Sequence, residues 1–250
     1  MAIIVLTSAG GSPGVTTTGL GLALSWPRPV LLADCDRHPN QAVLAGYLRG
    51  LSAGGRGLAG LVQDYRALQP VSSQRLIDQT LPLDDGVDQP RRFLPGFTNS
   101  GSATLFESYW TRFVAQLEQL DRTDVIIDAG RLPEGGLPEV LLERGSRVLV
   151  LTRSGLPALA SLRLLLPELT DSLDDPARLG LVVVGGGRPY PAGEVSQSLG
   201  VHLVADLPWD PVTAAVLSEG DLPPRKLTGR PLWRGFQSLS SQLQASEVAA

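Results

Sequence analysis

With 250 residues, 43% of them hydrophobic and 18% charged, the chain has enough apolar content for a sizeable core and is too apolar to be disordered. A net charge of −4 and a pI near 5.2 exclude a protein that coats nucleic acid through bulk charge, while leaving room for a local basic patch. The single cysteine, Cys35, excludes an intramolecular disulfide, and no stretch reaches the ~18 uninterrupted apolar residues of a membrane span. Met1 leads straight into an apolar run with no charged leader or cleavage site, so a cytoplasmic protein without a signal peptide is expected.

Short apolar runs alternate with longer helical patterns along the chain, the signature of βαβ units around a mostly parallel sheet flanked by helices on both faces. The runs are 3–6, 30–33, 125–127, 148–151, 181–184 and 203–205, each apolar on both alternations and therefore covered on both sides. Helical patterns fall at 16–24, 41–47, 104–120, 138–143, 158–169, 192–199 and 211–217. A last helix over 232–243 places Trp233, Phe236, Leu239 and Leu243 on one face. Two regions break the rhythm. Residues 52–58 are glycine-rich and read as a mobile loop. Residues 70–100 carry Pro, Asp and Gly clusters, with a turn at Asp84-Asp85-Gly86 and a possible short strand over 92–96. No repeat or linker divides the chain, so a single domain over 1–250 is expected.

The first strand runs into a glycine-rich turn, Thr7-Ser8-Ala9-Gly10-Gly11-Ser12-Pro13-Gly14-Val15-Thr16-Thr17-Thr18, which opens a helix. That architecture aims backbone N–H groups and a helix N-terminus at a phosphate. In the P-loop pattern a Lys follows the last Gly and reaches the β/γ-phosphates; here Val15 stands in its place. Three readings remain open. As a P-loop variant, Thr16 would hold Mg²⁺ together with carboxylates at the ends of neighbouring strands, Asp34 and Asp128. As a Rossmann-type dinucleotide site, the glycine fingerprint would begin at Ala9, and Asp34, 20 residues after Gly14, would meet a ribose. As a plain connector, the turn would bind nothing.

The stretch 7–18 resembles the deviant Walker A loop of the ParA/MinD family of P-loop ATPases, T-S-G-K-G-G-V-G-K-T-T-T. Thr7, Ser8, Gly11, Gly14, Thr16, Thr17 and Thr18 agree with it, whereas Gly10 replaces the family's signature Lys and Val15 the Walker Lys. Val30 to Asp36 with Pro39-Asn40 is similar to the family's D-x-D-P-Q-G-N element, and Asp124 to Asp128 to its Walker B strand. Leu207-Pro208-Trp209-Asp210 is similar to its L-P-x-D segment beside the adenine. In style the chain comes closest to the CpaE/TadZ-like relatives, some of which also lose the Walker Lys.

The resemblance implies an ATP or ADP site with Mg²⁺, formed by Gly10, Gly11, Ser12, Pro13, Gly14, Val15, Thr16, Thr17, Pro208 and Asp210. Thr16, Asp34 and Asp128 would sit around the metal, and Asp36 would position water if the protein were active. It also implies a homodimer and a protein partner in a localisation, pilus, secretion or division machine. Loss of a single oxyanion-type donor costs ~10²–10³ in rate, so loss of two lysines predicts a pseudo-ATPase unless an arginine substitutes. Arg37 and Arg153, near strand C-terminal ends, are the candidates.

The remaining features are weaker. His38 and His202 form no metal motif with one Cys, and Ser8 and Ser12 lack a nucleophile-elbow context. Arg225, Lys226, Arg230 and Arg234 make a basic cluster that reads either as a solvated face or as a nonspecific DNA grip. The tail from Ser240 to Glu247 has no basic residue, against a membrane-surface helix of the MinD kind.

Overall fold

In the computed structural model, which describes residues 1–69, 72–84, 89–132 and 135–248, every apolar run named above is a strand. The strands are β1 (Ile3–Ser8), β2 (Val30–Asp34), β3 (Leu81–Pro82), β4 (Arg91–Leu94), β5 (Asp124–Arg131), β6 (Arg147–Arg153), β7 (Leu179–Val184) and β8 (Leu203–Leu207). They form one sheet in the order β3-β4-β2-β5-β1-β6-β7-β8, parallel throughout except for β3, which runs antiparallel to β4. β1 is central, flanked by β5 and β6.

Side-chain alternation sorts the strand residues into two apolar layers. Ile4 and Leu6 of β1, Leu32 of β2 and Ile126 of β5 face one layer. Four helices cover it: α1 (Val15–Ser25), α2 (Ala42–Ala45), α10 (Pro211–Ser218) and α11 (Pro231–Val248). Ile3, Val5, Leu31 and Ile127 face the other. That side is covered by α3 (Leu58–Arg66), α4 (Ser73–Asp78), α5 (Ser100–Phe106), α6 (Trp110–Glu118), α7 (Glu139–Arg144), α8 (Leu156–Asp171) and α9 (Ala192–Leu199). Both faces are thus helix-covered, as the runs without polar alternation require.

Some elements differ from the sequence expectation. The helix expected over 104–120 is broken into α5, a 3₁₀ turn (Glu107–Tyr109) and α6. The break lets Phe106, Tyr109, Trp110 and Phe113 pack edge to face around Phe106, with ring centroids 4.7–5.3 Å from it. The stretch 52–58 is a hydrogen-bonded turn leading into α3: the Arg56 N–H donates to Ala53 O at 3.1 Å and the Leu58 N–H to Pro95 O at 2.8 Å. The apolar spacing of Leu58, Leu61, Val62 and Tyr65 carried the signal for α3. Gly60 obscured it; a Cβ there would press on the Gln79 side-chain amide and on the Gly55 carbonyl oxygen. The 92–96 run becomes β4, which starts one residue earlier and ends two earlier, at Leu94. Part of the expected turn at Asp84-Asp85-Gly86 lies outside the described residues. On α11 the core face is Leu232, Phe236, Leu239 and Leu243, with Trp233 only partly buried.

Asp124 ties the sheet's edge to the end of α1. Its carboxylate accepts from the Ala2 N–H at 2.9 Å and the Trp26 indole N–H at 2.8 Å, and it pairs with Arg28 at 2.8 Å. Where α1 crosses α11, Gly21 gives the room taken by the buried Phe236 ring. Gly21→Ala is expected to lose about 1–3 kcal/mol to overpacking, more than the ~1 kcal/mol gained in helix propensity. Urea denaturation checks this, and Phe236→Leu in the same background should recover part of the loss.

Candidate functional site

β1 delivers the 9–14 turn to the C-terminal edge of the sheet, between β5 and β6. Gly11 (φ 75°), Ser12 (φ 45°) and Gly14 (φ 93°) take left-handed backbone, so Ser12 holds a conformation that favours glycine. α1 begins at Val15, and the Thr18 N–H makes its first-turn bond to Gly14 O at 2.8 Å. The N–H groups ahead of it have no helical acceptor by geometry and are free to face a ligand.

A cleft of about 760 Å³ opens over this turn. Of the residues named from sequence, Ser12, Pro13, Gly14, Val15, Thr16, Thr17, Asp36, Pro208 and Asp210 line it, as do Arg153 and His38. Gly10 and Gly11 do not; a Cβ on them would approach Ser161 and Ala158 of α8, so that part of the turn leans on a helix. Val15, 7% exposed, belongs to the α1-side apolar layer. Where the P-loop pattern has a phosphate-reaching Lys, the cleft wall thus carries a hydrocarbon side chain packed against that layer.

Behind the turn lie three carboxylates. The register sets Asp128 level with Leu6 of β1 and with Asp34 of β2. Asp128 is 1% exposed; it hydrogen-bonds Thr16 and accepts from the Gly130 N–H at 2.9 Å. Burial pushes its carboxyl up to about 6, against the pull of those hydrogen bonds. Asp34, 5% exposed, is packed under Gly96 and does not reach the cleft. Burial first, then the charge of Asp128, raises its carboxyl well above the usual range. Asp34 is thus buried beside Asp128 and does not line the cleft, which counts against the ribose contact of the Rossmann reading. Asp36 does face the cleft. It accepts from the His38 N–H at 2.9 Å and the Asn40 side-chain amide at 3.2 Å, and lies against Gly130, where a Cβ would not fit. Between them, Cys35 is buried, its thiol pushed up by burial and the adjoining carboxylates.

Among the described residues no cluster of three or more His, Cys, Asp or Glu could hold a metal by itself. A Mg²⁺ here would need phosphate oxygens as ligands, and the hydrogen-bonded pair Thr16–Asp128 fits that donor set of one hydroxyl and one carboxylate.

The arginines separate clearly. Arg37 is paired with Glu107 and does not line the cleft. Arg230, from the basic cluster, is spent on Asp210 at 2.6 Å, which takes it out of any exposed DNA grip. Burial alone would raise the Asp210 carboxyl; hydrogen bonds from Arg230 and Thr213 outweigh it and hold the group at about 2. Asp210 therefore fixes the start of α10 and the segment before α11, with its oxygens already engaged. Arg153, at the end of β6, donates to Ser12 O at 3.1 Å and lies 5.0 Å from the Trp209 ring centroid. Arg131, three residues past Asp128, and Trp209 also line the cleft and were not singled out from sequence. Trp209 could have been, as the aromatic inside Leu207-Pro208-Trp209-Asp210. No described helix is long and apolar enough to cross a membrane.

The raised Asp128 carboxyl has a stability consequence. The folded chain keeps a proton between about pH 4 and 6 that the unfolded chain has released, so stability falls as pH rises through that window. Asp128→Asn should reduce this slope and make the chain more stable at pH 7.5 by on the order of 2 kcal/mol. Urea denaturation at pH 5 and pH 7.5 is the check.

No protein-family model matches the sequence, and no curated protein does. Solved structures do match the fold. The MinD cell division protein of Aquifex aeolicus superposes with a TM-score of 0.73 at 14% identity, covering 98% of this chain and 97% of its own. A ParA family ATPase from Chlorobium tepidum gives 0.74 at 12% identity, with 96% and 98% covered. MinD from Pyrococcus horikoshii, solved with Mg-ADP, gives 0.68 at 20% identity, with 100% and 98% covered. Over nearly its whole length, the chain has the fold of the MinD and ParA ATPases.

Proposed function

We propose that the chain, one domain over 1–250, is a degenerate relative of the MinD/ParA ATPases that binds ATP or ADP with Mg²⁺ and does not hydrolyse it. It acts as a scaffold or localisation factor in a bacterial cytoplasm, as a homodimer that recruits a protein partner of a division, pilus or secretion machine. The observation that carries this reading is Val15, nearly buried in the apolar layer where a phosphate-reaching Lys would stand, above a Thr16–Asp128 pair that is retained. Phosphoryl transfer relies on positioned positive charge at the transferring group. Binding relies less on it, since backbone N–H groups and the α1 N-terminus still face the cleft. The Mg-ADP complex of the Pyrococcus horikoshii MinD supports nucleotide as the ligand.

A second reading, an active ATPase with a substitute arginine, is favoured by the place of Arg153 on the cleft wall beside Ser12. Calorimetric titration with Mg-ATP beside a phosphate-release assay separates the two. Binding without release is expected, with Thr16→Ala weakening it about 10-fold through loss of one hydroxyl ligand and its bond to Asp128. Release above an Asp36→Ala control would select the ATPase.

A further inference from the structure

We infer that Arg153 is the residue that holds the ligand's phosphate in this cleft, supplying from the end of β6 the positive charge that the 9–14 turn lacks; the inference rests on the nucleotide-binding reading above. Three observations converge on it.

The first is position. β6 is hydrogen-bonded to β1, so the last residue of β6 stands across from the turn that β1 feeds, and the Arg153 side chain reaches the turn itself through Ser12 O. The second is that its charge is available. Among the described residues Arg153 is paired with no carboxylate, whereas Arg37 and Arg230 are committed to Glu107 and Asp210. The bond to Ser12 uses Nη2 and leaves the Nη1 and Nε donors of the guanidinium fork for an anion. The third is orientation. The Trp209 ring lies 5.0 Å from the guanidinium carbon, on the wall of the same cleft, and a cation held against an aromatic face keeps its donors directed along one plane.

There is also a need for such a group. Arg153 donates to the Ser12 carbonyl oxygen, so that acceptor of the turn is already engaged. Arg131 and Arg153 are the only lysine or arginine side chains among the described residues lining the cleft, which Asp36 and Glu219 also line. Of the two arginines, only Arg153 is bonded to the turn.

The test is calorimetric titration of the full chain with Mg-ADP, comparing wild type with Arg153→Gln, Arg153→Lys and Arg188→Gln. Arg188 also stacks on Trp209, 5.6 Å from its centroid, but does not line the cleft, and so controls for disturbance of the indole. Arg153→Gln should weaken Mg-ADP binding by about 10- to 100-fold, as expected for loss of a charged hydrogen-bonding partner. Arg153→Lys should restore part of it, Arg188→Gln should stay within about twofold, and the salt dependence of binding should flatten only in Arg153→Gln. Unchanged binding by Arg153→Gln, or equal losses in Arg153→Gln and Arg188→Gln, would overturn the inference and leave the nucleotide reading standing. A wild-type chain that binds neither Mg-ADP nor Mg-ATP would overturn both.

Discussion

The parallel register of β5, β1 and β2 governs this molecule. Because Asp128 pairs with Leu6 on one side and Asp34 on the other, one strand-end level carries the phosphate-type turn and two acidic groups together. No side chain in the turn could be placed against a carboxylate without that alignment, and the alignment is held by apolar layers on both faces. At the far end of β5, Asp124 anchors the start of β1 and the end of α1, so the strand that presents Asp128 is fixed at both ends. Cleft geometry is thus inherited from the core rather than built by the loops.

Within that frame the charges are lopsided. Two carboxylates, Asp34 and Asp128, are held behind the turn, at a cost in desolvation visible in their raised carboxyls. No lysine stands in the turn, and Val15 at the start of α1 belongs to the apolar layer. Of the two carboxylates, Asp128 is the one hydrogen-bonded to Thr16 at the start of α1.

Much of this was legible in the amino-acid sequence. Strands buried on both faces print themselves as uninterrupted apolar runs, so the central sheet, the turn after β1 and the acids Asp34 and Asp128 could all be placed by residue number, although β5 runs on past Asp128 to Arg131. The spacing of α11 was readable to within one position, Leu232 taking the core place assigned to Trp233. What stayed hidden depended on contacts distant in sequence. The packing of Phe106 against four aromatic rings breaks a helix that periodicity alone would continue. Gly60 lies inside α3 with the Gln79 side chain, from 19 residues away, filling the space a Cβ would take. The commitment of Arg230 to Asp210, and the freedom of Arg153 to meet Ser12 and Trp209, follow from how β6, β8 and the segment before α11 converge on one edge.

The lone thiol gains a use from where it lies. Cys35 follows β2 directly and is sealed between Asp34 and Asp36, with burial and negative neighbours holding it in the unreactive, protonated form. A thiol-specific reagent can reach it only when that strand end detaches from Asp128, whose carbonyl accepts the Cys35 N–H at 2.8 Å. Its labelling kinetics therefore time the breathing of the acidic edge alone, a native single-site clock. Any ligand that knits the turn to β5 would be registered as a slowing of that clock, with no engineered probe required.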